Sequence, residues 1–175
     1  MILPILEYPD PQLMETSKPV TEINDDLRRL AADMAETMYN AEGIGLAAPQ
    51  IGRKQRLIVL DLTGSGCREG LMCLINPELT PIEEAGTVIG EEGCLSVPLK
   101  YRSKVERAAR VRLKATGLDG RPLDLIADDI LAVCLQHEVD HLNGKLFLDH
   151  ISRLKRTLYN ARINKRAHRQ ADKAD

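Results

Sequence analysis

The stretch CLQHEVDHLNG, residues 134–144, constrains this chain more than any other. It holds two histidines four residues apart, with a glutamate directly after the first. On a helix that spacing sets His137 and His141 one turn apart on one face, where two imidazoles can share a metal ion with Glu138 beside it. The segment has helical periodicity, acidic residues at its start in Asp128 and Asp129, and Gly144 just past its end. Only four histidines occur in the whole chain, and two of them fall in this pattern. Two ligands do not complete a catalytic site of this type, which has three protein ligands and an open position. The chain therefore has to supply a third ligand from elsewhere.

The other segments show what surrounds that helix. Residues 24–40 read as a first helix, with Asn24 as N-cap, acidic residues in the first turn, and Leu27, Leu30, Ala31, Met34 and Met38 at spacings of three and four. Gly43 is its expected terminator. QRLIVLDL (55–62) reads as a buried strand, and LMCLINPEL (71–79) as a second strand broken at Pro77. GTVIGEEGCLSVP is extended and turn-rich, and residues 104–125 alternate around an Asp-Gly turn as a hairpin. A third helix starts near Ser152, followed by a polar tail. Strands follow one another without intervening helices. That order predicts an α+β fold, antiparallel or mixed sheets packed around the central 134–144 helix, with one helix before the sheets and one after. A chain of 175 residues without linker or repeat is expected to form one domain, 1–175, with about 151–175 as a C-terminal helix and basic tail.

Several sources of a third ligand can be tested on the residues alone. A thermolysin-like set needs a downstream glutamate, and no glutamate follows Glu138. A metzincin set extends H-E-x-x-H to a third histidine after the matching glycine, but Phe147 stands at that position. Asp149 and His150 follow Gly144, past the helix end, where both read as surface-loop residues; a protease using Asp149 stays open. Cys134 shares the helix face with His137, and three ligands along one helix splay rather than form a tetrahedron. Cys134 reads better as a small apolar filler or a pocket wall. Cys67 lies in a loop and Cys73 in an apolar strand. Cys94, in GEEGCLSVP, follows a glycine that lets the backbone pass close to something, yet a buried strand cysteine fits the same residues.

Composition excludes some classes. Net charge is −2 and there is no Trp and one Phe, which argues against a nucleic-acid module that stacks bases. The opening MILPILEYPDPQL has no basic run ahead of its apolar residues, and no stretch approaches the length of a membrane span. The expectation is a cytoplasmic protein, not membrane-bound, with its four cysteines reduced.

Three motifs, GIGLAAPQIG (43–52), EGCLS (92–96) and QHEVDHLNG (136–144), stand in the order and at the distances of the peptide deformylase family, and the chain resembles that family nearly throughout. Many relatives have glycine where this chain has Leu99. The resemblance implies metal ligands Cys94, His137 and His141 with a fourth position open. It implies one divalent metal per chain, Fe²⁺ foremost, with Zn²⁺, Ni²⁺ or Co²⁺ as substitutes. It implies removal of the N-formyl group from the formyl-methionine of nascent chains, releasing formate. Glu138 would move the proton from water to the leaving amine, and the Gln50 amide and the backbone N–H of Leu95 would hold the oxyanion. Ile44, Gly45 and Leu46 would pair with the substrate as an added strand. Ile130, Val133 and Cys134, on the His137 face of the helix, would border the methionine pocket, closed by Ile44. GIGLAAPQ also fits G-x-G-x-x-A, but it follows a helix and Pro49 interrupts what comes after, so no nucleotide cofactor is expected. Residues 151–175 carry eight Lys or Arg against two Asp, which leaves −8 on the rest of the chain. A solvated helix fits that charge; the resemblance implies that such a tail docks on the ribosome, basic charge facing RNA phosphate, on an otherwise monomeric protein. Two rivals remain: a metalloprotease with Asp149 as third ligand, and a structural metal module closed by Cys94, Cys134, His137 and His141.

Overall fold

The computed structural model describes residues 1–171. Helix α1 (Asp25–Asn40) begins where Asn24 accepts a hydrogen bond from the Leu27 amide at 3.0 Å, a cap worth about 1 kcal/mol. It ends at Ala41, and the left-handed residue after it is Glu42 (φ 56), not the expected terminator Gly43. Gly43 is small for another reason: a Cβ there would stand 2.8 Å from Leu95 Cδ1.

Strands β1 (Gly45–Ala47), β2 (Leu57–Leu60), β3 (Met72–Pro81), β6 (Arg110–Thr116) and β7 (Pro122–Asp128) form one sheet in the order β1-β2-β3-β6-β7, every pair antiparallel. Strands β4 (Thr87–Glu92) and β5 (Ser103–Ala108) form a separate antiparallel pair. The run Leu57-Ile58-Val59-Leu60 is apolar throughout because it is covered on both faces. Leu57 and Val59 pack with Leu27, Met34 and Met38 of α1. Ile58 and Leu60 pack with Ala132 and Leu135 of helix α2 (Asp129–Leu142). Each such Leu or Met, fully enclosed, stabilises the fold by about 2 kcal/mol.

Two strand expectations are corrected. Pro77 does not break its strand: β3 continues to Pro81, and the register shifts between Ile75 and Glu78. The missing N–H of Pro77 falls inside that bulge, where no ladder bond is needed. Residues 104–125 are not one hairpin either. The chain leaves the small sheet at Ala108 and enters the large one at Arg110, so only β6 and β7 form the hairpin around the Asp-Gly turn. Gln136 of α2 secures that crossing, accepting from the Ala108 N–H and donating to the Ala108 carbonyl, both at 3.0 Å.

Helix α2 is central, packed against β1, β2, β3, β5, β6 and β7. Its end is clamped: the Ser17 amide donates to the Leu142 carbonyl at 2.8 Å, and Gly144 adopts φ 70 with room for no side chain, since a Cβ would sit 2.4 Å from the Met14 carbonyl oxygen. Helix α3 (Arg153–Ala171) anchors Tyr159 and Ile163 against Val97, Val105 and Phe147. The last residues of the basic tail lie outside the described residues. No described helix is long and apolar enough to cross a membrane. The α+β architecture is the one expected, and the helix carrying His137 and His141 is its centre.

Candidate metal centre and its cavity

Helix α2 presents His137 and His141 on one face, and the loop after β4 brings Cys94 to them. The Cys94 Sγ lies 3.2 Å from His141 Nε2, and the ligand atoms of Cys94, His137 and His141 all lie within 4.8 Å of one another. A tetrahedral ion with thiolate and imidazole ligands spaces its donors by roughly 3.5 Å, so one cation fits between these three.

The surroundings prepare them. Burial alone would raise the Glu92 carboxyl, but hydrogen bonds and charge from His137 and Arg107 hold it down to about 2. His137 Nδ1 sits 2.9 Å from that carboxylate, so Nδ1 donates and Nε2 keeps its lone pair for a metal. Arg107 grips both Glu92 oxygens at 2.8 and 3.0 Å and donates to Asp140 at 2.6 Å. His150, read from the sequence as a loop residue, reaches the same Asp140 oxygen at 2.7 Å. Burial would lower His137, yet Cys94 and Glu92 outweigh it and set it well above the usual imidazole range. His141 is pushed well below that range, by burial first and then by the charges of His137 and Arg107. The thiol of Cys94 and two imidazoles suit a divalent ion.

A cavity of about 630 Å³ opens in front of these residues. Cys94, Leu95, His137, Glu138, Gln50, Ile44, Gly45, Ile130, Val133 and Cys134 all line it. Leu46 does not: its side chain is wholly inside the core with α1. Glu138 is buried, and burial pushes its carboxyl up to about 7. One of its oxygens, Oε2, finds no hydrogen-bond partner among the described residues. A buried carboxylate oxygen left unpaired is costly, and is the kind of group that takes a proton in a reaction. Glycine at position 45 makes this placement possible, because a Cβ there would stand 2.3 Å from Glu138 Oε1. Gln50, also buried, is held on a short 3-10 turn (Ala48–Ile51), its Oε1 accepting from the Ala47 N–H at 2.8 Å.

The rival ligands stand elsewhere. Asp149 accepts from the Leu146 amide at 2.9 Å and pairs with Arg156 at 2.7 Å. Cys134 is buried on the cavity wall, outside the three-residue cluster, and Cys67 is exposed. Sequence reasoning missed Glu92 and Arg107 as partners of the site. The alternation of β5 held a signal, since Arg107 falls on the same inward parity as Ser103 and Val105. Leu99 adopts φ 64, the left-handed conformation that glycine reaches most easily.

The family model for polypeptide deformylase matches residues 2–157. A peptide deformylase from Alkalilimnicola ehrlichii is 52% identical over 164 residues, covering 94% of this chain and 90% of the relative. The crystal structure of a peptide deformylase from Legionella pneumophila aligns with a TM-score of 0.88 at 43% identity, covering 98% of each chain. A Synechococcus elongatus peptide deformylase solved with actinonin gives 0.82 at 40% identity, covering 93% of this chain and 85% of the other.

Proposed function

The chain belongs to the polypeptide deformylase family, and from that premise we propose how its own residues carry the reaction. The enzyme removes the N-formyl group from nascent polypeptides, and formate is the product. The observation that carries the reading is the convergence of Cys94, His137 and His141 at the wall of a cavity that also holds Glu138 and Gln50.

Cys94 Sγ and the Nε2 atoms of His137 and His141 would hold the divalent metal, with Glu92 and Arg107 fixing His137. When bound, the metal supplies Lewis acidity that polarises a carbonyl and acidifies water. A thiolate with two imidazoles suits Zn²⁺ or Fe²⁺ alike; membership of the family favours Fe²⁺, with Zn²⁺, Ni²⁺ or Co²⁺ as substitutes. Glu138 takes the proton of the attacking water and returns it to the leaving amine. With its carboxyl near 7, both directions of transfer are accessible around neutral pH. The Gln50 amide and the Leu95 N–H donate to the oxyanion of the tetrahedral state; losing one such donor typically raises the barrier by about 3 kcal/mol. Ile44, Ile130, Val133 and Cys134 enclose the methionine side chain. The substrate backbone lies along Ile44 and Gly45, where β1 is the edge of its sheet. Leu46 serves there through its backbone alone.

The test is formate release from a formyl-Met tripeptide by protein purified without oxygen, with the acetyl-Met peptide and casein as controls. Formate from the first and no cleavage of the controls is expected. Casein cleavage without formate would replace this reading with the protease.

The whole chain, 1–175, acts as one monomeric cytoplasmic domain, with α3 as its C-terminal arm. Arg153, Lys155, Arg162, Lys165 and Arg169 are exposed on α3. They face ribosomal RNA phosphate during synthesis. Charge reversal at Arg162, Lys165 and Arg169 is expected to abolish co-sedimentation with ribosomes at low salt. Unchanged binding would remove the ribosome from this picture.

A further inference from the structure

Ser96 follows the cysteine of the metal cluster by two residues and is completely buried. Its hydroxyl oxygen accepts from Gln50 Nε2 at 3.0 Å. The other end of the same amide is fixed by the Ala47 N–H on Oε1. The backbones of the two residues are also tied through one N-terminal segment: the Leu6 amide donates to the Gln50 carbonyl at 2.7 Å, and the Tyr8 amide donates to the Ser96 carbonyl at 2.8 Å.

A side-chain amide nitrogen carries two hydrogens. Ser96 takes one. The other is donated to Cys94 Sγ, 3.5 Å away on the cavity wall, a long bond to a weak acceptor that a carbonyl oxygen can replace. Without the hydroxyl, only the Ala47 N–H and the long contact to Cys94 Sγ would hold the amide. Nε2 would then lose a buried partner and turn toward any other acceptor within reach.

We propose that Ser96 is a positioning residue for the hydrolysis: its hydroxyl fixes the Gln50 amide so that the second hydrogen, which faces Cys94 Sγ on the cavity wall, is in place for the reacting carbonyl oxygen. This rests on the reading of Gln50 as an oxyanion donor. Ser96 acts through Gln50 and not through the metal. Its backbone N–H lies 3.4 Å from Cys94 Sγ and persists in any side-chain substitution.

The experiment compares metal-loaded wild type, Ser96→Ala, Gln50→Ala and the double variant for formate release, metal content and melting temperature. Gln50→Ala is expected to lower kcat by about 100-fold. Ser96→Ala is expected to lower kcat about tenfold, the size of one lost hydrogen bond, with KM within about twofold and metal content unchanged. The double variant should match Gln50→Ala alone, because a positioning residue has nothing left to position. Ser96→Cys, close in size and a weaker acceptor, should fall between wild type and Ser96→Ala, and guards against a folding defect in the alanine variant. Wild-type kcat in Ser96→Ala, or effects that multiply in the double variant, would overturn the role assigned to Ser96. Wild-type kcat in Gln50→Ala would instead remove the oxyanion reading beneath it.

Discussion

Gly45→Ala is expected to lower kcat/KM for a formyl-Met peptide by about 100-fold or more while leaving the metal in place. The new methyl would stand 2.3 Å from Oε1 and 2.8 Å from Cδ of Glu138. The backbone at Gly45 is ordinary strand, paired with Leu60, so alanine meets no conformational barrier there. The obstacle is the far end of one flexible side chain, which rotates away. What is lost is the carboxylate's position, and general acid–base catalysis typically contributes 10²–10⁴ in rate. Circular dichroism and metal content should match wild type. A Gly45→Ala enzyme with unchanged kcat would show that Glu138 does not act from the place it occupies.

Cys94→Ala and Cys134→Ala should separate just as widely. Both cysteines line the cavity, but only Cys94 lies in the three-residue cluster with His137 and His141. Removing a supporting residue around a metal costs 10- to 100-fold in affinity. Removing the ligand itself should exceed about 100-fold and leave the purified protein without metal. Cys134→Ala should keep full metal and weaken only the fit of the methionine side chain, seen as a raised KM. Full metal in Cys94→Ala would remove this residue from the ligand set.

The two kinds of helix information were legible to different degrees. Helices α1 and α2 stood out because an apolar stripe of period 3.6 and local caps are properties of short segments. The middle of the chain was harder. Pro77 signals a strand end only when its position in the ladder is unknown; the bulge that absorbs it depends on the partner strand β6. Likewise nothing between Lys104 and Leu125 marks Ala109 as the passage between two sheets, because Gln136, which secures it, lies far along the chain.

The site divides the same way. His137, Glu138 and His141 share one helix turn and announce themselves by spacing. Cys94 is brought by a loop 43 residues before His137, and its segment taken alone favours a buried strand cysteine over a ligand. Only the resemblance to a family of ordered motifs separated the two readings. Glu92 and Arg107 escaped because their role consists of contacts across β4, β5 and α2. The inward parity of Arg107 shows that it is buried, not what it holds.

The most direct measurement is X-ray absorption of the zinc-loaded protein at the metal edge. One sulfur at about 2.3 Å, two imidazole nitrogens at about 2.0 Å and one further light atom are expected. Two sulfurs would mean that Cys134 closes the site as a structural centre, and no sulfur would mean that Cys94 is not a ligand at all.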